Sequence, residues 1–455
     1  MKQHPASFRD PDGQIFEHDG RLFRRLSAEY VPAYRHFMES GLYAELVEAR
    51  LLVSHTEHSE PDGTILLEPE RIPCVSWPYE WSFGQLRDAA LLTLAILEKA
   101  LEHGMTLKDA SAYNVTFYQG APLFIDTSSF EFYHDGQPWQ AYGQFCQHFL
   151  APLALMAKKD LRLNRLLQTY LDGIPLDLAA ELLPARTKFT VGLGIHLHAH
   201  ARLCKKHEGD RQKVQARLSR RQMENLVASL KDTVQSLTLP VQQTEWGDYY
   251  NDTNYSSEQF LEKQQILREW IQECSPAVVL DLGANDGTFS RIAAERAQLV
   301  IASDIDPVAV HKNYVQLRRQ KETKILPLLQ DCTQPSPALG WNLEERTSFP
   351  DRMRADMGLA LALVHHLAIG NNTPFSRIVP FLARLAPVWV VEFPEKDDSQ
   401  VQRLLTNRKD IFKKYSQEDL ESSFKGVFHI RKTRRITGTK RLLYLLEAVT
   451  GTEVE

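Results

Sequence analysis

The chain has 455 residues, which at about 150 residues per domain predicts roughly three compact units. A hydrophobic fraction of 43% and a charged fraction of 24% are ordinary for a globular protein, so the composition excludes a disordered or collagen-like chain. The formal net charge of −5, from 53 basic and 58 acidic residues, gives no overall attraction to nucleic acid or anionic lipid. A local basic patch is compatible with these totals.

Cysteine spacing and apolar segments bear on the cellular compartment. The five cysteines form no C-x-x-C pair, which argues against a disulfide framework or a zinc knuckle and favours a reducing compartment. They are Cys74, Cys146, Cys204, Cys274 and Cys332. The opening MKQHPASFRDPDG lacks the apolar stretch of a secretory signal, and the apolar run at 91–97 is far shorter than the ~20 residues that span a bilayer. We therefore expect a cytoplasmic protein without a membrane partner.

Residues 1–204 are predicted to form an α+β module. Asp-Gly pairs at 12–13 and 19–20 are hairpin signals beside the strand-like runs QIFEH and RLFRRL, and a helical pattern follows at about 30–53. Beyond residue 79 apolar side chains recur near a helical period. The runs NVTFY and PLFID then enclose a Gln119-Gly120 turn, and helical patterns continue to about residue 202. This pattern predicts a small lobe of about 1–76 and a helical lobe of about 77–204.

Residues 205–240 are predicted to form a helical connector. Seven basic residues occur between Lys205 and Arg221, and apolar residues at helical spacing continue to Pro240. Such a charge run is typical of a solvated helix with one packed face, and the alternative is a site for RNA or phosphate.

Residues 241–455 are predicted to form an α/β domain with a mostly parallel sheet and helices on both faces. Ser256 and Gln259 have capping-box spacing before a helix. The predicted strands AVVLDLG, LVIASDID and ILPLLQD alternate with the predicted helices FSRIAAERA and PVAVHKNYVQLRRQ. The strands are almost continuously apolar, which indicates burial on both faces of the sheet.

The segment VVLDLGANDG carries the first candidate site. Asp281 lies at a strand end, and Gly283, Asn285 and Gly287 follow in a turn that needs residues tolerant of positive φ. Open α/β sheets bind ligands at this edge, beyond the carboxyl ends of their strands. Asp304 ends the next strand, where a carboxylate can accept both hydroxyls of a ribose.

Asp331 ends the third strand and can reach an exocyclic amine.

Two cofactors suit such an edge. A nicotinamide dinucleotide prefers G-x-G-x-x-G, whereas the glycines here are spaced G-x-x-x-G behind a carboxylate that would repel a pyrophosphate. Asp281 suits a cofactor with a positive amine, such as S-adenosylmethionine.

Residues of about 246–446 resemble class I S-adenosylmethionine-dependent methyltransferases and, more narrowly, a bacterial group of nodulation-protein methyltransferases. The resemblance rests, in order, on WGDYYNDTNY, LDLGANDGTFSRIAA, SDIDPVAV, DCTQPSPALGW, LALVHHLAIGNN and VVEFPEKDD. It implies that Asp281, Gly283 and Gly287 form the cofactor loop, Asp304 the ribose acid and Asp331 the adenine-side acid. Asn285 departs from the family pattern, because it replaces the glycine most common in the middle of the loop.

His365, His366 and Glu392 are the candidate proton acceptors. The two histidines follow the predicted fourth strand, and Glu392 ends the run VWVVE. Methyl acceptors usually lie over this edge, where a base can take the proton of an attacking hydroxyl or amine. The alternative for the histidines is that one packs inward and the other is hydrogen-bonded to a loop. The alternative for Glu392 is a strand-end carboxylate that caps a helix or pairs with Arg434 or Arg435. No N-P-P-Y or D-P-P-Y run is present, which argues against nucleobase methylation of that type.

The run HLHAH at 196–200 has the composition of a metal site. Its three histidines share a face only on a strand, and because the flanking sequence fits a helix equally well, we predict no metal ligand there.

The first module resembles protein and aminoglycoside kinases. Asp109 is followed five positions later by Asn114 and seventeen positions later by Asp126, the order of a catalytic aspartate and two metal ligands. Departures are Leu107 in place of the usual histidine, Thr127-Ser128 after the last aspartate, and no G-x-G-x-x-G loop or V-A-I-K lysine. Arg24 or Arg25 paired with Glu45 is the nearest substitute for that lysine. We therefore expect a pseudokinase that uses Mg²⁺ and ATP only if it is active.

These observations leave three functional classes. The first is a methyltransferase that modifies an oxygen or nitrogen of a small molecule or glycan. The second is a two-activity enzyme with a phosphotransferase module, and the third is a non-catalytic nucleotide-binding scaffold. The sequence contains no strong nucleic-acid signal, and it leaves the acceptor and the oligomeric state open.

Overall fold

The computed structural model describes residues 1–60, 62–206, 217–239, 255–406 and 410–449. The chain divides into two compact units, the first of residues 1–242 with 338–346 and the second of residues 243–337 with 347–455. Part of the predicted connector (207–216 and 240) and the motif residues 246–254 lie outside the described residues.

The first unit combines short strands with helices. Its strands are β1 (Lys2–Gln3), β2 (Gly13–His18), β3 (Arg21–Leu26), β4 (His55–Ser59), β5 (Ile65–Pro69), β6 (Met105–Leu107), β7 (Val115–Tyr118), β8 (Ala121–Phe124) and β9 (Phe130–Phe132). Its helices are α1 (Val31–Glu39), α2 (Leu42–Glu48), α3 (Phe83–Glu102), α4 (Tyr142–Phe145), α5 (Ala151–Lys158), α6 (Leu166–Thr169), α7 (Leu176–Leu182), α8 (Val191–Leu193), α9 (His200–Lys206) and α10 (Arg220–Ser236). Helical turns at Cys146–Leu150 and Gly194–Ala199 are of the π type.

The sheet of the first unit is antiparallel, and of the two predicted hairpin signals Asp19-Gly20 forms the turn, whereas Gly13 of Asp12-Gly13 begins β2 and pairs with Leu26. Among the described residues it has five strands in the order β1-β2-β3-β5-β4. Asp19 (φ +51°) and Gly20 (φ +72°) join β2 to β3 with positive φ at both turn positions, as a type I′ hairpin requires. Among the described residues of this unit, β7 and β8 form a further hairpin, and β6 and β9, which flank it in the chain, pair with each other as a second two-stranded sheet.

Helix α3 is the central helix of the first unit. Ser82 and Gln85 form a capping box at its start, and most of its apolar side chains are fully buried. Helix α10, which the sequence places in the connector, packs against α3, and Lys231 Nζ lies 2.7 Å from Glu98 Oε2. The described part of the connector is therefore a component of the first unit.

The second unit alternates strands with helices. Its helices are α11 (Ser257–Cys274), α12 (Thr288–Ala294), α13 (Pro307–Gln320), α14 (Phe349–Arg352), α15 (Phe375–Leu385), α16 (Ser399–Leu405) and α17 (Gln417–Phe424). Its strands are β10 (Val278–Leu282), β11 (Leu299–Asp304), β12 (Ile325–Leu329), β13 (Met357–Ala360), β14 (Val388–Pro394), β15 (Phe428–Arg435) and β16 (Arg441–Ala448).

The sheet of the second unit is mostly parallel. In the described part of the chain it has seven strands in the order β12-β11-β10-β13-β14-β16-β15, and only β16 runs opposite to the others, since it pairs antiparallel with both β14 and β15. The strand order reverses beside β10, since the chain runs outward to β12 on one side and to β14 on the other. In a doubly wound sheet this reversal opens a ligand crevice at the carboxyl ends of the strands.

One short segment of the chain leaves the second unit. Residues 338–346, between β12 and α14, group with the first unit, although the sequence places them in the second domain. Arg9 forms two hydrogen bonds to Glu345, of 3.0 and 2.8 Å, and the Arg346 guanidinium lies 4.0 Å from the centre of the Tyr113 ring. Paired charges and a cation–π contact explain why this segment packs there.

No helix in the described part of the chain is long and apolar enough to cross a membrane.

Candidate functional site

The turn after β10 has the backbone geometry that its sequence predicts. Gly283 and Gly287 have φ of +74° and +83°, and Asn285 between them has φ of +52°. Glycine adopts this left-handed region without steric cost, and asparagine tolerates it better than most residues. A Cβ on Gly287 would also lie 2.5 Å from Asn313 Oδ1, so packing excludes a side chain there.

Asp281 lies near the carboxyl end of β10 and is buried. Ser290 donates its hydroxyl to Asp281 Oδ2 at 2.6 Å. Burial raises the pKa of Asp281 to about 7, because removal from water disfavours the charged form. A cationic ligand beside this carboxyl would favour its ionised form.

Asp304 and Asp331 follow the next two strands. Asp304 accepts the backbone N–H groups of Asn285 and Asp306, each at 2.8 Å, and burial raises its pKa to about 6. Asp331 accepts the backbone N–H and the hydroxyl of Thr333. Each carboxylate oxygen has a second lone pair, so both groups can still accept hydrogen bonds from a ligand.

Five of the six predicted cofactor residues line one cavity at this edge of the sheet. They are Asp281, Gly283, Asn285, Asp304 and Asp331, whereas Gly287 lies where the turn enters α12. Much of the remaining wall is apolar, from Phe260, Phe289, Ile305, Leu361 and Leu363. An apolar pocket with a few converging polar groups of shifted pKa is the usual form of a small-molecule site.

The two histidines after β13 occupy different environments. His366 lines the cavity, and burial lowers its pKa to about 4, so its imidazole is neutral at physiological pH. His365 is fully buried, is not part of the cavity lining, and has no hydrogen-bond partner at either ring nitrogen within the described residues. Burial lowers the pKa of His365 well below its usual value. Of the pair, only His366 is placed to meet a ligand in this cavity.

Glu392 is bound to two cations, which argues against its predicted role as a base. Lys263 Nζ lies 2.5 Å from Glu392 Oε2, Arg441 Nη1 lies 3.0 Å from Oε1, and the Tyr255 hydroxyl donates to Oε1. Although burial alone would raise the pKa of Glu392, the charges of Lys263 and Arg441 lower it to about 2. A carboxylate held ionised in this way is a poor proton acceptor near neutral pH.

The cations at Glu392 also differ from the predicted ones. Arg434 lies 3.4 Å from Glu269 and Arg435 lies 2.6 Å from Glu395, both on the exposed strand β15. Arg441, on the buried strand β16 that neighbours β14, takes their place.

Ala362 is a strained residue on the wall of the cavity. It lies two residues after β13 with φ of +50°, a region that costs a residue with a Cβ roughly 1–2 kcal/mol. Outliers of this kind cluster at functional sites, where the surrounding structure holds them in place.

The predicted kinase-like residues lie together in the first unit and are engaged by neighbouring side chains. Arg24 Nη1 lies 2.7 Å from Asp126 Oδ1, and the hydroxyls of Ser128 and Ser129 also donate to Asp126. Asn114 donates to Ser129 at 3.1 Å.

Asp109 accepts the backbone N–H of Ser111 at 2.8 Å, which is the loop-internal bond that a turn aspartate commonly makes. The predicted pairing of Arg24 or Arg25 with Glu45 is wrong. Glu45 pairs with Lys99 and His103 instead, which lie on and just after the neighbouring helix α3.

The histidines at 196–200 lie on helical backbone and bind other side chains. His196 is 2.9 Å from the Tyr142 hydroxyl and 2.8 Å from Ser229 Oγ, and His198 is 2.8 Å from Thr187 Oγ1. The His200 ring stacks on Tyr142 at 4.7 Å. Hydrogen bonding within the fold accounts for His196 and His198, and ring stacking places His200.

Comparison with known proteins places the chain in a family. No protein-family model matches it. Nodulation protein NoeA of Rhizobium meliloti (strain 1021) is 34% identical over 458 residues, which cover 97% of this chain and 95% of that protein. The chain belongs to the NoeA family.

Solved structures similar to this NoeA-family chain include methyltransferases. The N-methyltransferase NodS of Bradyrhizobium japonicum WM9, in complex with S-adenosyl-L-homocysteine, is 10% identical, with a TM-score of 0.32 over 45% of this chain and 99% of that one. The bifunctional kinase-methyltransferase WbdD is 15% identical, with a TM-score of 0.32 over 48% of this chain and 45% of that one. The class I methyltransferase fold is evident in the strand order of the second unit of this family member.

Three residues at or beside the candidate site of this NoeA-family chain were not predicted from the sequence. Tyr255 and Lys263 line the cavity, and Arg441 binds Glu392. Tyr255 is the last residue of WGDYYNDTNY, one of the motifs that carry the family resemblance, so the sequence does contain a signal for this residue. Lys263 and Arg441 carry no local signal, since a single lysine in a helix and a single arginine in a strand usually face solvent.

Proposed function

We propose that this chain is an S-adenosylmethionine-dependent methyltransferase. The observation that carries the proposal is the cavity at the carboxyl edge of the sheet, where Asp281, Asp304 and Asp331 follow three adjacent strands. Asp281 suits the ammonium group of the methionine end, Asp304 the ribose and Asp331 the adenine amine. A nicotinamide dinucleotide fits less well, because its pyrophosphate would meet the Asp281 carboxylate.

The cofactor, when bound, supplies a methyl group on a positively charged sulfur, which then leaves as a neutral thioether. The chain contributes positioning and a proton acceptor. His366 lines the cavity in its neutral form and can take the proton of an acceptor hydroxyl or amine. We assign Glu392 to holding Lys263, Arg441 and Tyr255, and His365 to packing.

We propose a small molecule or a glycan as the acceptor, with the methyl group going to oxygen or nitrogen. The first unit would present this acceptor rather than transfer phosphate to it. Arg24 supports this, because it already neutralises Asp126, the side chain that a kinase would use for magnesium. Phosphoryl transfer needs that charge for the metal, so the internal ion pair disfavours the two-activity alternative.

The decisive experiment has a binding arm and a turnover arm. Isothermal titration of the full chain with S-adenosylhomocysteine should give saturable binding, which Asp304→Ala should weaken by about ten- to a hundredfold, the value of a charge-assisted hydrogen bond. NADH titrated in parallel should not bind. Tight binding of NADH, or equal binding by a folded Asp304→Ala variant, would reject the assignment.

The turnover arm uses the cofactor with a labelled methyl group and candidate acceptors. Once an acceptor is found, His366→Ala should lower kcat by about 10²–10⁴ and leave the Kd for S-adenosylhomocysteine unchanged. An unchanged kcat would mean that positioning alone suffices. Magnesium-dependent ATP consumption that disappears in Asp126→Ala would restore the phosphotransferase alternative.

A further inference from the structure

One end of the cofactor cavity carries charges of both signs. Asp281 supplies the carboxylate, and Lys263, on α11, is the sole lysine or arginine among the described residues that line the cavity. The two side chains are close enough for each to affect the ionisation of the other. A carboxylate and an amine that line the same cavity complement a ligand group that is itself a zwitterion, such as an α-amino acid.

Lys263 is buried to an extent that is rare for a lysine. Only 2% of its side chain is exposed, and its ammonium lies 4.4 Å from the centre of the Phe289 ring and 5.2 Å from that of Tyr255. Lysine is almost never fully buried unless it is paired. Burial lowers the pKa of Lys263, and the charge of Glu392 opposes that effect.

The hydrogen-bonding capacity of Lys263 exceeds what the protein uses. An ammonium group has three N–H donors. Within the described residues, Glu392 is its one hydrogen-bond acceptor, which leaves two donors for a ligand in the cavity. A buried donor without a partner costs free energy that a bound acceptor recovers.

Lys263 is not the sole hydrogen-bond donor to Glu392 among the described residues. Arg441 binds it at 3.0 Å and also binds Asp398 at 2.8 Å, and the Tyr255 hydroxyl donates to it as well. Lys263 can therefore share its charge with a second carboxylate without leaving Glu392 unpaired.

We propose that Lys263 binds the α-carboxylate of the methionine end of the cofactor, while Asp281 takes its ammonium group. This inference rests on the proposed function and assigns a cofactor-binding role to a residue outside the glycine loop. It makes Lys263 a specificity determinant for cofactors that carry an intact amino acid.

The test compares three ligands by isothermal titration of the full chain. S-adenosylhomocysteine carries the carboxylate and the amine, its decarboxylated analogue 5′-(3-aminopropylthio)adenosine keeps only the amine, and methylthioadenosine has neither. The wild type should bind S-adenosylhomocysteine about ten- to a hundredfold more tightly than the decarboxylated analogue, as expected for a charge-assisted hydrogen bond. Equal affinity of the wild type for these two ligands would overturn the proposal without any variant.

Lys263→Met removes the charge and keeps the length of the side chain. It should lose most of its affinity for S-adenosylhomocysteine and change its affinity for the decarboxylated analogue by less than about twofold, while Lys263→Arg should restore part of the loss. Arg435→Met, on the exposed ion pair with Glu395, is the matched control and should behave as the wild type. An equal loss for all three ligands would assign Lys263 a structural role and overturn the proposal. A wild type that binds none of them would instead reject the proposed function.

Discussion

Burial sets the charge of Asp281 and with it the pH range in which a cationic ligand binds. Its pKa is raised to about 7, whereas the ammonium of the cofactor requires the ionised carboxylate. Affinity should therefore rise with pH, by about tenfold between pH 6 and pH 8, since the ionised fraction changes by that factor. Titration of the full chain with S-adenosylhomocysteine across this range measures the effect.

Asp281→Asn separates this carboxyl from the other titrating groups. The variant should bind more weakly at pH 8 and lose most of the pH dependence. If the affinity of Asp281→Asn still rises with pH, the titrating group is a different carboxyl. Asp304, whose pKa is about 6, is then the nearest alternative.

Ala362 offers a second test at the scale of one residue. With φ of +50°, its backbone favours glycine and strongly disfavours a β-branched side chain. Ala362→Gly should change the free energy of unfolding by less than about 1 kcal/mol, because relief of strain and added chain entropy oppose each other. Ala362→Val should destabilise the fold by about 1–3 kcal/mol. Urea denaturation measures the free energy of unfolding of both variants. An Ala362→Val variant as stable as Ala362→Gly would show that the backbone at this residue is not strained.

At the scale of elements, a buried charge network joins β14 to β16. Arg441 on β16 binds Glu392 of β14 and Asp398 at the start of α16. Arg441→Met should lower the free energy of unfolding by about 3–5 kcal/mol, because it removes the cation that the two buried carboxylates share. Urea or thermal denaturation of the full chain measures this loss.

Arg435→Met is the matched control for that prediction. It breaks an arginine–glutamate pair on the adjacent strand β15, but Arg435 is 44% exposed, so the expected cost is at most about 1 kcal/mol. Equal losses of unfolding free energy in Arg441→Met and Arg435→Met would mean that burial does not make the Arg441 network stronger than an exposed ion pair.

At the scale of the whole molecule, residues 338–346 belong structurally to the first unit although they follow a strand of the second. Arg346 stacks on Tyr113 at 4.0 Å and lies 5.5 Å from the Trp77 ring. Arg346→Ala in the full chain should increase hydrogen exchange around these aromatic residues and leave the Kd for S-adenosylhomocysteine within about twofold of the wild type, since neither ring lines the cofactor cavity.

Glu344→Ala serves as the control in the same segment, because Glu344 is exposed. It should change neither hydrogen exchange nor binding. A loss of cofactor affinity above about fivefold in Arg346→Ala would instead tie the segment to the cavity, which begins only a few residues earlier at 330–333.

The sequence by itself determined the local features of this protein. Strand and helix positions around the cofactor loop follow from hydrophobic period, and the predicted helix PVAVHKNYVQLRRQ is α13 residue for residue. The positive φ of Gly283, Asn285 and Gly287 follows from residue type, because few other residues adopt it. The alignment of three aspartates at one sheet edge follows from their position at successive strand ends.

Only the tertiary structure decided which charges meet. Glu392 lies 129 residues from Lys263 and 49 from Arg441, and its partners depend on β16 lying beside β14 and on α11 covering the sheet. The tertiary structure likewise decides that His366 lines the cavity, whereas His365, whose ring centre lies 4.1 Å from that of His366, is buried and is not part of the lining. Periodicity and turn chemistry act over a few residues, whereas the pairing of buried charges is set by contacts between distant elements, and the place of residues 338–346 in the first unit has the same origin.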